Sequence, residues 1–159
     1  MLNPSSATEP TNIPRWETAA TQLQFEVRPV EVRLQSDIDR VIAELPNQNF
    51  DAIAVVAGTL FFANRRQIVA AIAATRLPGV YGSTEYAEVG GLVSYGPVVA
   101  DGFRAAATQV AKILRGAKPA LIPFEQATKF ELAINLGSAR ELGVVIPQAV
   151  LMRVDKVFN

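Results

Sequence analysis

The chain lacks the residue types most often used in catalysis, and most of its candidate binding residues lie in two short segments. The chain has no cysteine and no histidine, which excludes thiol nucleophiles, Ser-His-Asp triads, disulfide scaffolds and nearly every zinc arrangement. Most candidate binding residues lie in two segments, residues 58–62 and 82–91. No acid-base pair can be assigned among the scattered carboxylates, which include Asp37, Asp39, Asp51 and Asp101. We therefore expect a binding site without metal or cofactor, and no enzyme.

Both segments follow strands of a predicted strand-helix-strand unit. Residues 52–57 form an unbroken apolar run, typical of a strand buried on both faces of a parallel sheet, and Gly58 breaks it. From Leu60 apolar residues recur at helical spacing until Pro78, and residues 79–82 begin the next strand. A right-handed crossover makes the two strands parallel. The two segments are then expected at the carboxyl edge of the sheet, where open α/β sheets bind ligands.

The rest of the chain continues the alternation of helix and strand. Three further helices are predicted: one at residues 13–23, one that begins after an N-cap at Ser36, and one from Gly96 to Gly116. Strands are predicted at residues 25–34, 92–95 and 130–136. A helical turn is predicted at residues 138–142 and a final helix at residues 147–158. The pattern predicts an α/β fold of three layers, α/β/α, with a mainly parallel sheet.

The long helix after Gly96 carries the clearest apolar stripe of the chain. It is expected to be buried, and its residues are Phe103, Ala106, Ala107, Val110, Ile113 and Leu114.

Composition limits the classes of partner. The chain has 159 residues, 50% of them hydrophobic, which is enough for the core of one ordinary domain. Fifteen basic and fifteen acidic residues cancel, so charge indicates neither nucleic acid nor an anionic membrane surface. The longest apolar run, residues 52–63, is shorter than the roughly 18 residues of a spanning helix. The first ten residues have neither a basic nor an apolar segment, so we do not expect them to act as a secretory signal.

Three segments resemble a known family. They read AEVGGLVSYGP at residues 87–97, AKILRGAKPALIP at 111–123 and TKFELAINLGSARELGVVIP at 128–147. They are similar to the substrate-binding proteins of a bacterial ABC uptake family, which has the two-lobed type I periplasmic binding fold and includes tryptophan- and tyrosine-type binding proteins. The resemblance covers nearly the whole chain but only the C-terminal half of a family member.

The resemblance implies a function and a division of the chain. A ligand lies between two lobes that close by hinge bending. Residues 1–96 would form a domain like the C-terminal lobe, and residues 97–159 a return segment that packs on the hinge and on the missing N-terminal lobe. The implied partners are a small solute, amino acid-like or otherwise small and polar, and an ABC permease. The implied compartment is the periplasm. If the chain is expressed without a signal peptide, the cytoplasm is expected instead.

The resemblance also implies a set of ligand contacts, and each has a structural alternative. Thr59 could instead cap a helix, one ring of the adjacent pair could fill the core, Glu85 could be a solvated turn residue, and Tyr95 could simply pack. Arg65 and Arg66 are better explained as solvated helix charges than as anion ligands. The implied ligand-binding residues are Thr59, Phe61, Phe62, Ser83, Glu85 and Tyr95.

Three hypotheses remain open at this point. The first is a non-catalytic solute-binding component of an ABC-type uptake system, here a truncated C-terminal half that binds weakly or not at all by itself. The second is a truncated α/β protein that self-associates, most simply as a homodimer, through an exposed edge or apolar surface. The third is a small α/β enzyme that uses Asp, Glu, Lys, Tyr or Ser.

Overall fold

The computed structural model describes residues 1–6 and 9–159, and its centre is a five-stranded sheet. The strands are β1 (Ile53–Val55), β2 (Gly79–Tyr81), β3 (Val93–Pro97), β4 (Phe130–Asn135) and β5 (Lys156–Phe158). They lie in the order β1-β2-β3-β4-β5. β1, β2 and β3 are parallel, β4 is antiparallel to β3, and β5 is parallel to β4. The mainly parallel sheet that the sequence predicts is confirmed.

Helices alternate with these strands. They are α1 (Ile13–Gln22), α2 (Ile38–Glu44), α3 (Thr59–Ala63), α4 (Arg65–Thr75), α5 (Thr84–Glu88), α6 (Val99–Leu114), α7 (Leu136–Leu142) and α8 (Gln148–Leu151). None of the described helices is long and apolar enough to span a membrane. The alternation confirms the α/β class and puts a helix directly after each of β1 and β2.

The core lies where β1 and β2 meet α2 and α4. In α4 the buried side chains are Ile68, Val69 and Ile72, which follow the helical spacing of the sequence. The helix ends at Arg76, whose φ of 59° is left-handed, and Pro78 prevents its continuation. The full set of clustered core residues is Val32, Ile38, Ile42, Leu45, Ile53, Val55, Phe61, Ile68, Val69, Ile72, Tyr81 and Tyr86.

The first two residues run beside β1. The amide of Val56 donates to the Met1 carbonyl at 3.4 Å, and the amino group of Met1 donates to the Ala54 carbonyl. This is the bonding pattern of parallel neighbours. On the other side, the amide of Leu2 donates to the Val30 carbonyl at 2.9 Å. The loop that begins at Asn3 therefore leaves the sheet at the same edge as the turn after β1.

Three local predictions are wrong. Residues 25–34, predicted as a strand interrupted or begun late by Pro29, form no regular strand: only the part after Pro29 pairs, in the single parallel bridge between Leu2 and Glu31, and proline has no amide hydrogen with which to extend a ladder. Ser36 does not cap a helix; the Asp37 carboxylate accepts the Leu34 amide at 3.1 Å instead. Residues 147–158 are not one helix, since α8 ends at Leu151 and β5 pairs with β4.

The expected burial of α6 is also wrong. None of its residues is buried, and no other described helix or strand packs extensively along it. The helix leaves the sheet after β3 and the chain returns at Lys129, whose carbonyl accepts the Val98 amide at 3.2 Å. Among residues 1–6 and 9–159, no helix or strand therefore covers the apolar stripe. The division into residues 1–96 and 97–159 stays a prediction, and β4 and β5 of the second segment pair within the same sheet.

Candidate functional site

The carboxyl ends of β1, β2 and β3 meet at one edge of the sheet, and glycines let them approach closely. A Cβ at Gly96 would collide with the carbonyl oxygen of Gly82, and a Cβ at Gly82 would lie 3.0 Å from the Ala57 amide nitrogen. A side chain at position 96 would force the backbone to shift, and a side chain at position 82 would be crowded. The edge therefore presents backbone at its centre and side chains around it.

A hollow of about 290 Å³ opens beside the end of β1. Its polar groups come from two turns, the one after Leu2 and the one after β1. The lining residues are Asn3, Ser5, Ser6, Glu9, Ala57, Gly58, Thr59 and Leu60. The hollow is lined by hydroxyl, amide and carboxylate side chains together with the backbone of Gly58, which suits a small polar solute.

Glu9 is the charged group of this hollow. Its side chain is only 5% exposed, and its Oε2 accepts the Asn3 amide at 2.5 Å. Its own amide donates to the hydroxyl of Ser6 at 3.4 Å. A Cβ at Gly58 would collide with Glu9 Oε1. Glycine at position 58 thus makes the space that the carboxylate occupies.

The predicted contacts after β1 fall into different places. Thr59 is exposed and lines the hollow; the N-cap of α3 is Gly58 and not Thr59. Phe61 is 0% exposed and lies in the core, so its ring has no face free for a ligand. Phe62 is exposed, and the Arg65 guanidinium lies 4.9 Å from its ring centroid. One ring of the pair fills the core, as the sequence predicts.

The predicted contacts after β2 surround the start of α5. Ser83 is buried, and its hydroxyl has no hydrogen-bond partner among the described residues. Glu85 is half-buried in the first turn of α5, where a carboxylate complements the helix dipole. The Thr84 hydroxyl donates to Glu131 at 3.2 Å, and Glu131 pairs with Lys156 at 2.9 Å. The hydrogen bond to Glu131 raises the pKa of Lys156.

Tyr95 lies apart from the hollow. Side chains alternate along β3, so Tyr95 points away from the buried Ser94, and its ring stacks on Phe130 at 5.6 Å between centroids. The rings of Tyr81 and Tyr86 stack at 4.9 Å inside the core, where burial raises the pKa of both phenols. Of the six predicted contacts, the structure brings only Thr59 to the hollow.

Sequence reasoning missed Glu9, Glu131 and Lys156. Glu9 could have been found, because the turn after Leu2 follows the same rule as the turn after β1 once Leu2 is taken as a strand end. Glu131 and Lys156 reach the edge only through the pairing of β4 with β3 and β5, and no local pattern shows that pairing. Within residues 1–6 and 9–159, no group of three His, Cys, Asp or Glu could hold a metal ion.

Comparison with known families identifies the chain. Residues 1–158 match the family described as ABC transporter substrate binding protein. The chain belongs to this family. Among curated proteins, no match to this chain is found.

Solved structures agree with the family on the fold. A conserved domain protein from Vibrio cholerae O1 biovar El Tor has a TM-score of 0.90 at 22% identity over 98% of this chain and 52% of that one. An ABC domain from Streptococcus pneumonia in complex with L-Trp has a TM-score of 0.87 at 26% identity over 96% and 54%.

The third similar structure is the ligand-free, open form of CD0873 from Clostridium difficile, a substrate-binding protein with adhesive properties. Its TM-score is 0.69 at 16% identity, over 100% of this chain and 53% of that one. The chain thus spans about half the length of each of the three structures.

Proposed function

We propose that this chain forms one wall of a solute-binding cleft and works by enclosing and releasing a small molecule. The observation that carries the proposal is the polar hollow at the carboxyl edge of β1, built from two strand-end turns. Ligands of open α/β sheets bind at such an edge. A role of enclosure needs no bond-making residue, and the family match supports it.

The second wall is proposed to come from the half of the relatives' length that this chain does not span. Support comes from the unburied apolar stripe of α6. We call Phe103, Val110 and Leu114, which lie on one side of α6, the α6 face; all three are exposed. Exposed apolar patches of this kind mark interaction sites. In this proposal residues 97–129 cross to the other lobe, and the hinge includes Pro97 and Lys129.

The proposed solute is amino acid-like, and the proposed partner is an ABC permease. The structure from Streptococcus pneumonia is a complex with L-Trp, which makes L-tryptophan the first probe for this chain. By its resemblance to the family of ABC substrate-binding proteins, the proposed compartment is the periplasm.

An NMR titration with L-tryptophan tests the proposal. Amide shifts of the isolated chain are expected at Gly58, Thr59 and Ser83, with a Kd on the order of 1 mM, because half of the cleft is absent. The matched control is Thr108, an exposed residue on α6 that is remote from the hollow. Its amide is expected to stay in place.

Two results would contradict the proposal. One is a titration that shifts no amide at the carboxyl edge while the spectrum remains that of a folded protein. The other is sub-micromolar binding by the monomer, because a complete site would then lie within this chain.

A second candidate role, self-association as a homodimer, is favoured by the same α6 face. In the isolated chain two copies could cover this apolar surface. Sedimentation velocity is expected to show a dimer whose fraction falls in the double variant Phe103→Ser, Leu114→Ser. The control is Leu23→Ser, which removes an equally exposed apolar side chain from the end of α1. A strictly monomeric species at high concentration removes this candidate.

A further inference from the structure

We propose that Glu9 is the specificity-determining residue of the hollow and that it selects a solute carrying an ammonium group. The inference rests on the proposed solute-binding function. It names the group on this chain that recognises charge, and it follows from the position and bonding of one carboxylate.

Burial of Glu9 is the first observation. A carboxylate taken out of water is costly unless it is paired or fully hydrogen-bonded. Glu9 is 5% exposed, yet the ion pairs found among the described residues do not include it. An ammonium group in the hollow would supply the opposite charge.

The position of the carboxylate is the second observation. One oxygen is held by the Asn3 amide at 2.5 Å, and Gly58 leaves space for the other. The same hollow is lined by the side chains of Ser5 and Thr59. A fixed carboxylate among small polar groups forms charge-assisted hydrogen bonds with an ammonium group at little ordering cost.

The ionisable groups near Glu9 do not supply the opposite charge that an ammonium group would provide. Burial lowers the pKa of the Met1 amino group to about 6, although the charge of Glu9 opposes the change. That amino group donates to the Ala54 carbonyl, and among the described residues it forms no ion pair with Glu9. Tyr86 also lies within the field of Glu9, and burial raises the pKa of its phenol, which keeps the phenol neutral.

A purely structural role for Glu9 is the competing explanation. The carboxylate would then serve only to hold the turn after Leu2 through the Asn3 amide. Glu9→Gln separates the two roles, because the amide oxygen of glutamine still accepts that hydrogen bond while the charge is lost.

The experiment compares two probes that differ in charged group. Tryptamine carries the indole ring and an ammonium group without a carboxylate, and indole-3-propionate carries the ring and a carboxylate without an ammonium group. We expect tryptamine to shift the Gly58 and Thr59 amides of the wild-type chain and to bind roughly tenfold or more tightly than indole-3-propionate. This comparison needs no variant.

Variants then assign the preference to Glu9. Glu9→Gln is expected to weaken tryptamine binding by roughly tenfold or more and to leave indole-3-propionate no weaker than before. Glu17→Gln is the matched control, because Glu17 is exposed on α1 and lies outside the hollow. It is expected to leave both affinities unchanged.

The outcomes separate this proposal from the proposed function. If both probes bind at the hollow with equal affinity, or if Glu9→Gln leaves tryptamine binding intact, the ammonium proposal is overturned and solute binding stands. If neither these probes nor L-tryptophan shifts any amide at the edge, the proposed function fails and the inference fails with it.

Discussion

The core around β1 and the helix α6 have similar apolar patterns and opposite burial. Phe61 follows β1 and is 0% exposed, whereas Phe103 on α6 is 73% exposed. Both lie in helical segments whose apolar residues recur at core spacing. The difference shows that periodicity identifies the side of a helix that will be covered, but not the chain that covers it. We propose that the α6 face is covered by a partner segment from the part of the similar structures' length that this chain does not span.

The largest expected contrast is between two phenylalanines. Phe61→Ala should lower the free energy of unfolding by about 3–5 kcal/mol, because it leaves a cavity in the core. Phe103→Ala should change it by no more than about 0.5 kcal/mol, because that ring is in water in both states. Urea unfolding measures both. A similar loss of stability at the two positions would show that Phe103 on α6 is packed in solution, contrary to the contrast in burial described above.

Two glycines sharpen the contrast at the level of the backbone. Gly96→Ala should lower the free energy of unfolding by about 1–3 kcal/mol, because the new methyl group meets the Gly82 carbonyl. Gly102→Ala in α6 meets nothing within 4 Å and should raise it by up to about 1 kcal/mol through helix propensity. Thermal unfolding checks the opposite signs. If Gly96→Ala leaves the free energy of unfolding unchanged, the backbone at Gly96 and Gly82 has room for the added methyl group.

The smallest contrast concerns two ion pairs. Lys156 pairs with Glu131, whose side chain is 13% exposed, whereas Arg104 pairs with Asp101 on α6 with both partners more exposed. Lys156→Met should cost about 0.5–1 kcal/mol at pH 7, and Arg104→Met should have no measurable effect.

The contribution of Lys156 should also depend on pH. The pKa of Lys156 is raised above its ordinary value of 10.5 by the hydrogen bond to Glu131. A raised lysine pKa stabilises the folded state fully below the unfolded value, and the effect is lost as pH rises through the folded value. The difference between wild type and Lys156→Met should therefore persist from neutral pH to pH 9 and vanish above the raised pKa. A difference that grows in this range would contradict the assignment.

The sequence predicted the parts of the fold that depend on local pattern. The apolar run before Gly58 and the strand after Pro78 are observed as β1 and β2, and the helical segment between them as α3 and α4. The expected burial of β1 on both faces is wrong, because Ala54 is exposed between the buried Ile53 and Val55. The parallel pairing of β1 with β2 is also confirmed, and it places the turns after them at one edge.

The errors arose where a distant partner decides the structure. Val150, Leu151, Val154 and Val157 suit a helix or a strand equally well. The Asp155 amide donates to the Leu132 carbonyl at 2.9 Å, and the Asp155 carboxylate accepts the Leu132 amide at 2.8 Å. These bonds draw the end of the chain alongside β4. No feature within residues 147–158 indicates them.

The candidate site was predicted to the level of the sheet edge but not to the residue. Thr59, predicted as a ligand contact, lines the hollow. Phe61 is buried in the core instead, and the ring of Tyr95 stacks on Phe130 away from the hollow. Glu9 was missed because only two residues precede its turn, too few to show a strand by alternation. The polar groups of a strand-end site are thus predictable only after the strands themselves are assigned.

Hydrogen exchange measured by mass spectrometry is the most direct test of the proposal that the α6 face packs against a partner segment outside this chain. In dilute solution, we expect amides of Val99–Leu114 to exchange far faster than those of β1, β2 and α4. Rising protein concentration should slow their exchange only if copies pair through the α6 face. Protection of α6 equal to that of β1 and β2 in a dilute monomer would contradict it.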